Sequence, residues 1–153
     1  MKIQRQVIIT PLIISNNVLQ LSYDFGIQIT PMKLQRFLYL LYLEYLRKTG
    51  EPLFSERFKA WKYGPVLDSV YNTFTGNSDS PINNFYKNHN GNVFMLDSPY
   101  FNQLILYPMW NKYGKYTGVE LSRIIQLNSI AWRNAYLSEL IFLTDENIIK
   151  DKL

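Results

Sequence analysis

The sequence predicts a mainly α-helical fold, a compact helical bundle with a small β-hairpin or short strands, and three observations support it. Four hydroxyl–proline pairs divide the chain: Thr10-Pro11, Thr30-Pro31, Ser80-Pro81 and Ser98-Pro99. In such a pair the hydroxyl can cap a helix whose first position suits proline. Apolar residues then recur at helical spacing, and only two short stretches, at about residues 54–62 and 92–96, are typical of strands.

The chain has 153 residues, of which 47% are hydrophobic and 16% aromatic. Chains that stay disordered are poor in aromatic residues, and this length suits one domain with a real core. Neither an internal repeat nor a linker divides the sequence. We therefore predict a single domain spanning residues 1–153.

The first two helices are predicted at residues 11–25 and 31–48, each after a threonine cap. The second is apolar nearly all round, which is typical of a helix in the middle of a bundle. Gly50 is predicted to end it in a left-handed conformation. Glu44 and Lys48 are four residues apart, in the order that favours a surface ion pair.

The later elements are shorter. Gly64-Pro65 is predicted to open a helix that continues to Phe74, and residues 75–91 are predicted to be a polar, mobile loop. Further helices are expected at residues 99–113, with a kink at Pro108, and at about residues 117–126, where Thr117 and Glu120 form a capping box. The last two are expected at residues 131–139 and 145–152.

The residue types that carry most enzyme chemistry are scarce. The sequence has no cysteine and a single histidine, His89, in an Asn-rich stretch, so it offers neither a thiol nucleophile nor a multi-histidine metal site. Its seven glycines do not form a phosphate-binding motif. The carboxylates are dispersed, and each has a structural role available. We therefore expect a binding protein that is not an enzyme and has no cofactor and no metal.

The charge of the chain is uneven. The net charge is +4, with nine Lys/Arg and four Asp/Glu in residues 1–64 and seven and eight in residues 65–153. A basic half permits an acidic partner or nucleic acid, but like charges are too sparse to favour nucleic acid over a solvated surface. The start of the sequence lacks a cleavage pattern, and no apolar run is long enough for a membrane span. Together with the missing cysteines, this indicates a cytoplasmic protein.

One long run, PMKLQRFLYLLYLEYLRKTGEPLFSERFKAWKYGPVLDSVYNTF, resembles the Panacea domain of the SocA-like antitoxins, a family associated with phages and mobile elements. The resemblance extends over nearly the whole chain. The positions that match its pattern are Pro31, Lys33, Leu34, Gln35, Leu38, Tyr39, Gly50, Pro52, Leu53, Phe54, Ala60, Trp61, Tyr63, Gly64, Pro65, Val66, Val70, Tyr71, Trp110, Tyr113, Gly114 and Trp132.

The resemblance implies a helical domain that binds and neutralises a toxin protein, in a toxin–antitoxin or phage setting. Three alternatives remain open: an adaptor that delivers a toxin to a protease, a phage-borne inhibitor of a host system, and a nucleic-acid-binding regulator. The sequence also leaves open whether the chain forms a homo-oligomer.

Two groups of residues in the motif are given different roles. A scaffold group, Trp61, Gly64, Pro65 and Trp132, is expected to hold the corner between strand and helix, with Trp61 buried because tryptophan is buried on average. Four residues are candidates for contact with the partner: Lys33, Gln35, Lys62 and Tyr63. We expect all four to be exposed near helix starts, although Lys33, Gln35 and Lys62 have the alternative role of capping and bracing the scaffold.

Overall fold

The computed structural model describes residues 8–76 and 79–153. Residues 1–7, on which the rejection of an export signal partly depends, lie outside the described part, as do residues 77–78 of the predicted loop. The elements in chain order are α1 (Pro11–Phe25), α2 (Pro31–Thr49), β1 (Lys59–Trp61), β2 (Gly64–Val66), α3 (Asp68–Thr73), α4 (Pro99–Phe101), a π-helix (Asn102–Leu106), α5 (Tyr107–Tyr113), α6 (Gly118–Asn128), α7 (Ile130–Leu137) and α8 (Asp145–Ile148).

The second helix, α2, lies at the centre of the fold, as its sequence predicts. It packs against α1, α6, β2 and the π-helix, and most of its residues are buried. Its side chains Leu34, Phe37, Leu38 and Leu41 are fully inaccessible to solvent. Each such side chain stabilises the fold by about 1.5–3 kcal/mol relative to exposure. The central helix therefore holds the other elements in place.

The predicted helix ends are confirmed for α1 and α2. Thr10 and Thr30 cap the two helices through their side-chain oxygens, and Gly26 and Gly50 end them with φ values of 64° and 73°. The Thr117–Glu120 capping box at the start of α6 is also present, and so is the pair between Lys48 Nζ and Glu44 Oε1, at 3.4 Å.

The hairpin differs from the prediction. Its second strand is Gly64–Val66, which pairs antiparallel with β1, and residues 92–96 form no strand. Gly64-Pro65 therefore does not open a helix, and α3 begins only at Asp68. Residues 141–143 lie along the other edge of β1, where the Ala60 amide donates to the Ile141 carbonyl at 3.0 Å.

Residues 92–96 do not need a partner strand because buried asparagines of α1 bind their backbone. Asn17 accepts a hydrogen bond from the Leu96 amide and donates one to the Leu96 carbonyl, both at 2.9 Å. Asn16 donates to the Phe94 carbonyl at 3.0 Å. Side-chain amides thus satisfy backbone groups that would otherwise call for a sheet.

The predicted helix at residues 99–113 is interrupted directly before Pro108. Proline has no N–H to donate to the carbonyl four residues earlier. The chain widens into a π-helix at Asn102–Leu106, where the Tyr107 amide donates to the Asn102 carbonyl. The remaining helices, α6 to α8, lie close to their predicted positions, but α8 is shorter than expected.

Candidate functional site

The tip of the hairpin presents aromatic side chains to solvent. Trp61 is 39% exposed and Tyr63 is 58% exposed, and Lys62 beside them is exposed as well. The expectation that Trp61 is buried is therefore wrong, whereas Lys62 and Tyr63 are exposed as predicted. In a strand, successive side chains point to opposite faces, so Ala60 packs on the core while Trp61 faces outward. The indole of Trp61 meets the ring of Tyr71 edge-to-face, with centroids 4.9 Å apart.

Trp132 holds the hairpin from behind. It is only 8% exposed, and its Nε1–H donates to the Trp61 carbonyl at 2.7 Å. Its ring stacks on Tyr136 within α7, with centroids 5.2 Å apart. The backbone of Trp61 is thereby fixed to α7 while its side chain stays at the surface.

The other two predicted contact residues, Lys33 and Gln35, are buried, so their predicted exposure is wrong. Lys33 Nζ donates to the Gly114 carbonyl at 2.5 Å. Gln35 binds both backbone groups of Leu67, since its Nε2 donates to the Leu67 carbonyl at 3.0 Å and its Oε1 accepts from the Leu67 amide at 2.9 Å. These contacts are the bracing role that the sequence left as the alternative.

Burial also affects the charge of Lys33. Desolvation lowers the pKa of its ammonium group, and the negative charge of Glu120 partly opposes that shift. The partner of the ammonium is a neutral carbonyl rather than a carboxylate. Lys33 therefore acts as a hydrogen-bond donor inside the fold and is not available as a surface charge.

Arg36, which the sequence reasoning did not single out, is the residue that links α2 to the hairpin. It is 4% exposed, its Nε donates to Ser122 Oγ at 2.9 Å, and its Nη1 donates to the Pro65 carbonyl at 2.8 Å. Desolvation lowers the pKa of its guanidinium to about 10. The available signal was an arginine at the edge of the longest apolar run of α2, directly before Phe37.

The position of Arg36 explains the glycine of the motif. Gly64 has a φ of 144°, in the region that favours glycine, and a Cβ atom there would lie 2.7 Å from Arg36 Nε. Any other residue would displace the guanidinium or strain the turn. Gly64 and Pro65 therefore lie in β2 against the arginine and do not start a helix.

A groove with a volume of about 370 Å³ lies beside the hairpin, between β1, β2, α3 and the start of α2. Its walls carry aromatic side chains, and part of its polar lining comes from α2. The aromatic and polar residues that line it are Trp61, Tyr63, Tyr71, Phe74, Gln35, Arg36 and Thr75. Apolar grooves with a few fixed polar groups are typical of binding sites.

Residues 8–76 and 79–153 contain no cluster of three or more His, Cys, Asp or Glu side chains that could hold a metal ion. The carboxylates have local contacts instead. Asp68 pairs with Lys59 Nζ at 2.6 Å, and Glu56 accepts a hydrogen bond from the Ser69 amide at 3.2 Å. His89 is exposed in the Asn-rich loop. Across the same described ranges, no helix has the length and apolar character of a membrane span.

Comparison with known proteins gives two matches. The family model described as "Antitoxin SocA-like, Panacea domain" matches residues 34–133, which include the hairpin, Arg36 and Trp132. The Antitoxin SocA of Caulobacter vibrioides (strain NA1000 / CB15N) is 35% identical over 71 residues. That alignment covers 46% of this chain and 38% of the relative, so the match spans less than half of either protein. No solved structure gives a significant match.

Proposed function

Because the chain belongs to the Antitoxin SocA-like, Panacea-domain family, we propose that it is a cytoplasmic, non-enzymatic antitoxin that binds and neutralises a protein toxin. The observation that carries the proposal is the aromatic groove beside the hairpin. Trp61, Tyr63 and Tyr71 are all exposed there although they lie on a fixed backbone. Tryptophan and tyrosine are enriched among the residues that dominate binding energy in protein interfaces.

The surface around the groove is suited to a protein partner rather than to a small molecule alone. A stable protein interface buries about 800 Å² on each side, which is more than the groove itself supplies. Lys62 and Tyr63 extend the groove at the hairpin turn, where the Lys62 ammonium lies 5.3 Å from the centre of the Tyr63 ring. We propose that these two residues form the rim of the contact.

The backbone that carries this surface is held from several sides, which favours recognition by a preformed site. Arg36 binds the Pro65 carbonyl, Trp132 binds the Trp61 carbonyl, and Gln126 Nε2 donates to the Tyr63 carbonyl at 3.0 Å. A surface that is ordered before binding avoids part of the entropic cost of association. All three acceptors are backbone carbonyls, so truncation of the Trp61 or Tyr63 side chain removes no atom that takes part in these hydrogen bonds.

The proposal is tested by co-expression with each reading frame that adjoins this gene and whose product alone stops growth. Wild type should restore growth. Trp61→Ala and Tyr71→Ala should each weaken binding of the toxin at least about tenfold, as loss of an interface anchor worth 1.4 kcal/mol or more implies, and should lower the plating efficiency. Both side chains are substantially exposed, so we expect each substitution to reduce the free energy of unfolding by only about 1 kcal/mol.

Tyr107→Ala is the matched control, because Tyr107 is exposed to a similar degree and does not line the groove. It should rescue as well as wild type. Full rescue by the two groove variants would move the binding surface elsewhere. An adjacent toxin that wild type neither binds as purified protein nor neutralises would contradict the antitoxin function itself.

A further inference from the structure

The guanidinium of Arg36 is a buried cation without an anionic partner among residues 8–76 and 79–153. Its hydrogen bonds there go to two neutral acceptors, Ser122 Oγ and the Pro65 carbonyl, and no described residue accepts one from Nη2. The described ion pairs are Lys48–Glu44 and Lys59–Asp68. Buried charges in proteins are normally paired, so an arginine of this kind calls for an explanation.

Arg36 also lines the groove, and the groove brings no acid to it. The described lining residues are aromatic, aliphatic or neutral apart from Arg36 itself. The guanidinium lies against Gly64, where the absence of a side chain leaves room for it beneath the hairpin. A cation that lines an aromatic groove and lacks a counter-charge is complementary to a negative group that comes from outside.

We propose that the groove receives a glutamate side chain of the partner protein, whose carboxylate pairs with the Arg36 guanidinium while neighbouring apolar residues of the partner pack against Trp61 and Tyr71. This inference rests on the proposed function only in that the partner is a protein. It adds the chemistry by which that partner is recognised.

The shape of the site favours a side-chain carboxylate over a chain terminus. Arg36 is nearly inaccessible, so an anion must reach it on a slender stem, and the two methylene groups of glutamate provide one. A C-terminal carboxylate would bring its own backbone and last side chain down to the guanidinium. A phosphate group would call for several cations, and Arg36 is the only charged residue among the described lining residues.

Burial makes the pairing selective. Desolvation has already disfavoured the charged form of Arg36, whose pKa is near 10, and a carboxylate would restore the missing interaction. Charge-assisted hydrogen bonds to arginine are about twice as strong as neutral ones. A glutamine in place of the glutamate should therefore bind at least about tenfold more weakly.

Three matched tripeptides test the inference with wild-type protein. These are acetyl-Phe-Glu-Phe-amide, acetyl-Phe-Gln-Phe-amide and acetyl-Phe-Gln-Phe with a free C-terminus. Proton–nitrogen NMR follows the Arg36 Nε–H, the Trp61 indole N–H and, as an internal control, the Trp110 indole N–H, which lies outside the groove. The glutamate peptide should move the Arg36 and Trp61 signals with an affinity about tenfold or more above that of the glutamine amide.

Equal affinities for the glutamate and glutamine amides would overturn the inference, as would Arg36 signals that stay unmoved up to about 10 mM peptide, a weak limit for a single contact. If the peptide with the free C-terminus binds as tightly as the glutamate peptide, the groove recognises a chain end and not a glutamate side chain. If phenyl phosphate, titrated in the same way, moves the Arg36 signal more than the glutamate peptide does, the groove is a phosphate site. Either result would reject the glutamate.

If the variant Arg36→Met folds, the same peptide titrations on it give a second measurement. It should lose the preference for glutamate over glutamine, whereas the exposed control Arg123→Met should keep it. If Arg36→Met does not fold, the wild-type titration decides alone. The tripeptide titration does not require the toxin, so the two experiments can fail separately. If the chain rescues cells from the toxin but does not prefer the glutamate peptide, only this inference is wrong. If it prefers the glutamate peptide but neutralises no toxin, only the proposed function is wrong.

Discussion

Two parts of the family motif differ from what their residue types suggest: the polar part is buried and the aromatic part is exposed. At the start of α2, the polar residues Lys33, Gln35 and Arg36 are buried. At the hairpin tip, the aromatic residues Trp61 and Tyr63 are exposed. The polar part of the motif binds backbone groups inside the fold, whereas the aromatic part lies at the surface.

The buried polar residues connect segments that are far apart in the chain. Lys33 reaches the carbonyl of Gly114, Gln35 reaches both backbone groups of Leu67, and Arg36 reaches Pro65 and Ser122. Buried backbone groups that lack a partner cost about 1–3 kcal/mol each, so these side chains stabilise the fold by pairing backbone groups such as the Leu67 amide. One turn of α2 thus fixes the hairpin, the start of α3 and the end of α5.

The largest effect is expected for Gln35→Ala. It leaves the amide of Leu67 buried and unpaired, whereas the Leu67 carbonyl still accepts from the Tyr71 amide at 3.0 Å. The free energy of unfolding should therefore fall by about 1–3 kcal/mol. Urea unfolding measured by circular dichroism gives this value. Gln126→Ala is the matched control, because that glutamine also donates to a backbone carbonyl, that of Tyr63, but at the surface. Gln126→Ala should lower the free energy of unfolding by less than about 1 kcal/mol. If the two variants lower it equally, the buried and exposed hydrogen bonds do not differ in their contribution to stability.

Lys33→Met is expected to have a smaller effect that depends on pH. Loss of the hydrogen bond to Gly114 should cost about 1–2 kcal/mol near neutral pH, because the methionine fills the space of the stem but donates nothing. Burial lowers the pKa of Lys33 below its ordinary value of 10.5. Between the lowered pKa and 10.5 the unfolded chain binds more protons than the folded chain, so this group makes the free energy of unfolding rise with pH.

The difference in unfolding free energy between wild type and Lys33→Met should therefore widen as the pH rises toward 10.5. Urea titrations of both proteins at neutral pH and at about pH 9.5, near the ordinary lysine pKa, measure it. A difference that narrows over this range would mean that the folded state favours the charged ammonium, contrary to its burial.

The sequence predicted the parts of this comparison that depend on local chemistry. Thr10, Thr30 and Gly50 bind within their own helices, so the ends of α1 and α2 could be read from neighbouring residues. The burial of Lys33 and Gln35 could not be predicted from neighbouring residues, because their hydrogen-bond acceptors lie 81 and 32 residues away in the chain. Gly64-Pro65 was misassigned for a similar reason: a proline that suits a first helical turn also suits an edge strand, and the contact with Arg36 decides between them.

The smallest effect on stability, and the sharpest on function, is expected at the hairpin turn. Lys62→Glu combined with Tyr63→Ala removes two exposed side chains, so the free energy of unfolding should change by less than about 0.5 kcal/mol. The backbone of the turn stays bound because Gln126 donates to the Tyr63 carbonyl and not to its ring. If these residues form the rim of the contact, the double variant should fail to rescue cells that express the cognate toxin.

The chain contains its own control for this experiment, because Lys115-Tyr116 is a second exposed lysine–tyrosine pair outside the groove. Lys115→Glu with Tyr116→Ala makes the same change in charge and aromatic area and should leave rescue intact. Loss of rescue in both double variants would attribute the effect to net charge, which steers association over long distances. If both double variants rescue the cells and both unfold at the same temperature as wild type, the partner does not contact the turn. The loop at residues 75–91, whose first residues Thr75 and Gly76 line the far end of the groove, is then the next surface to vary.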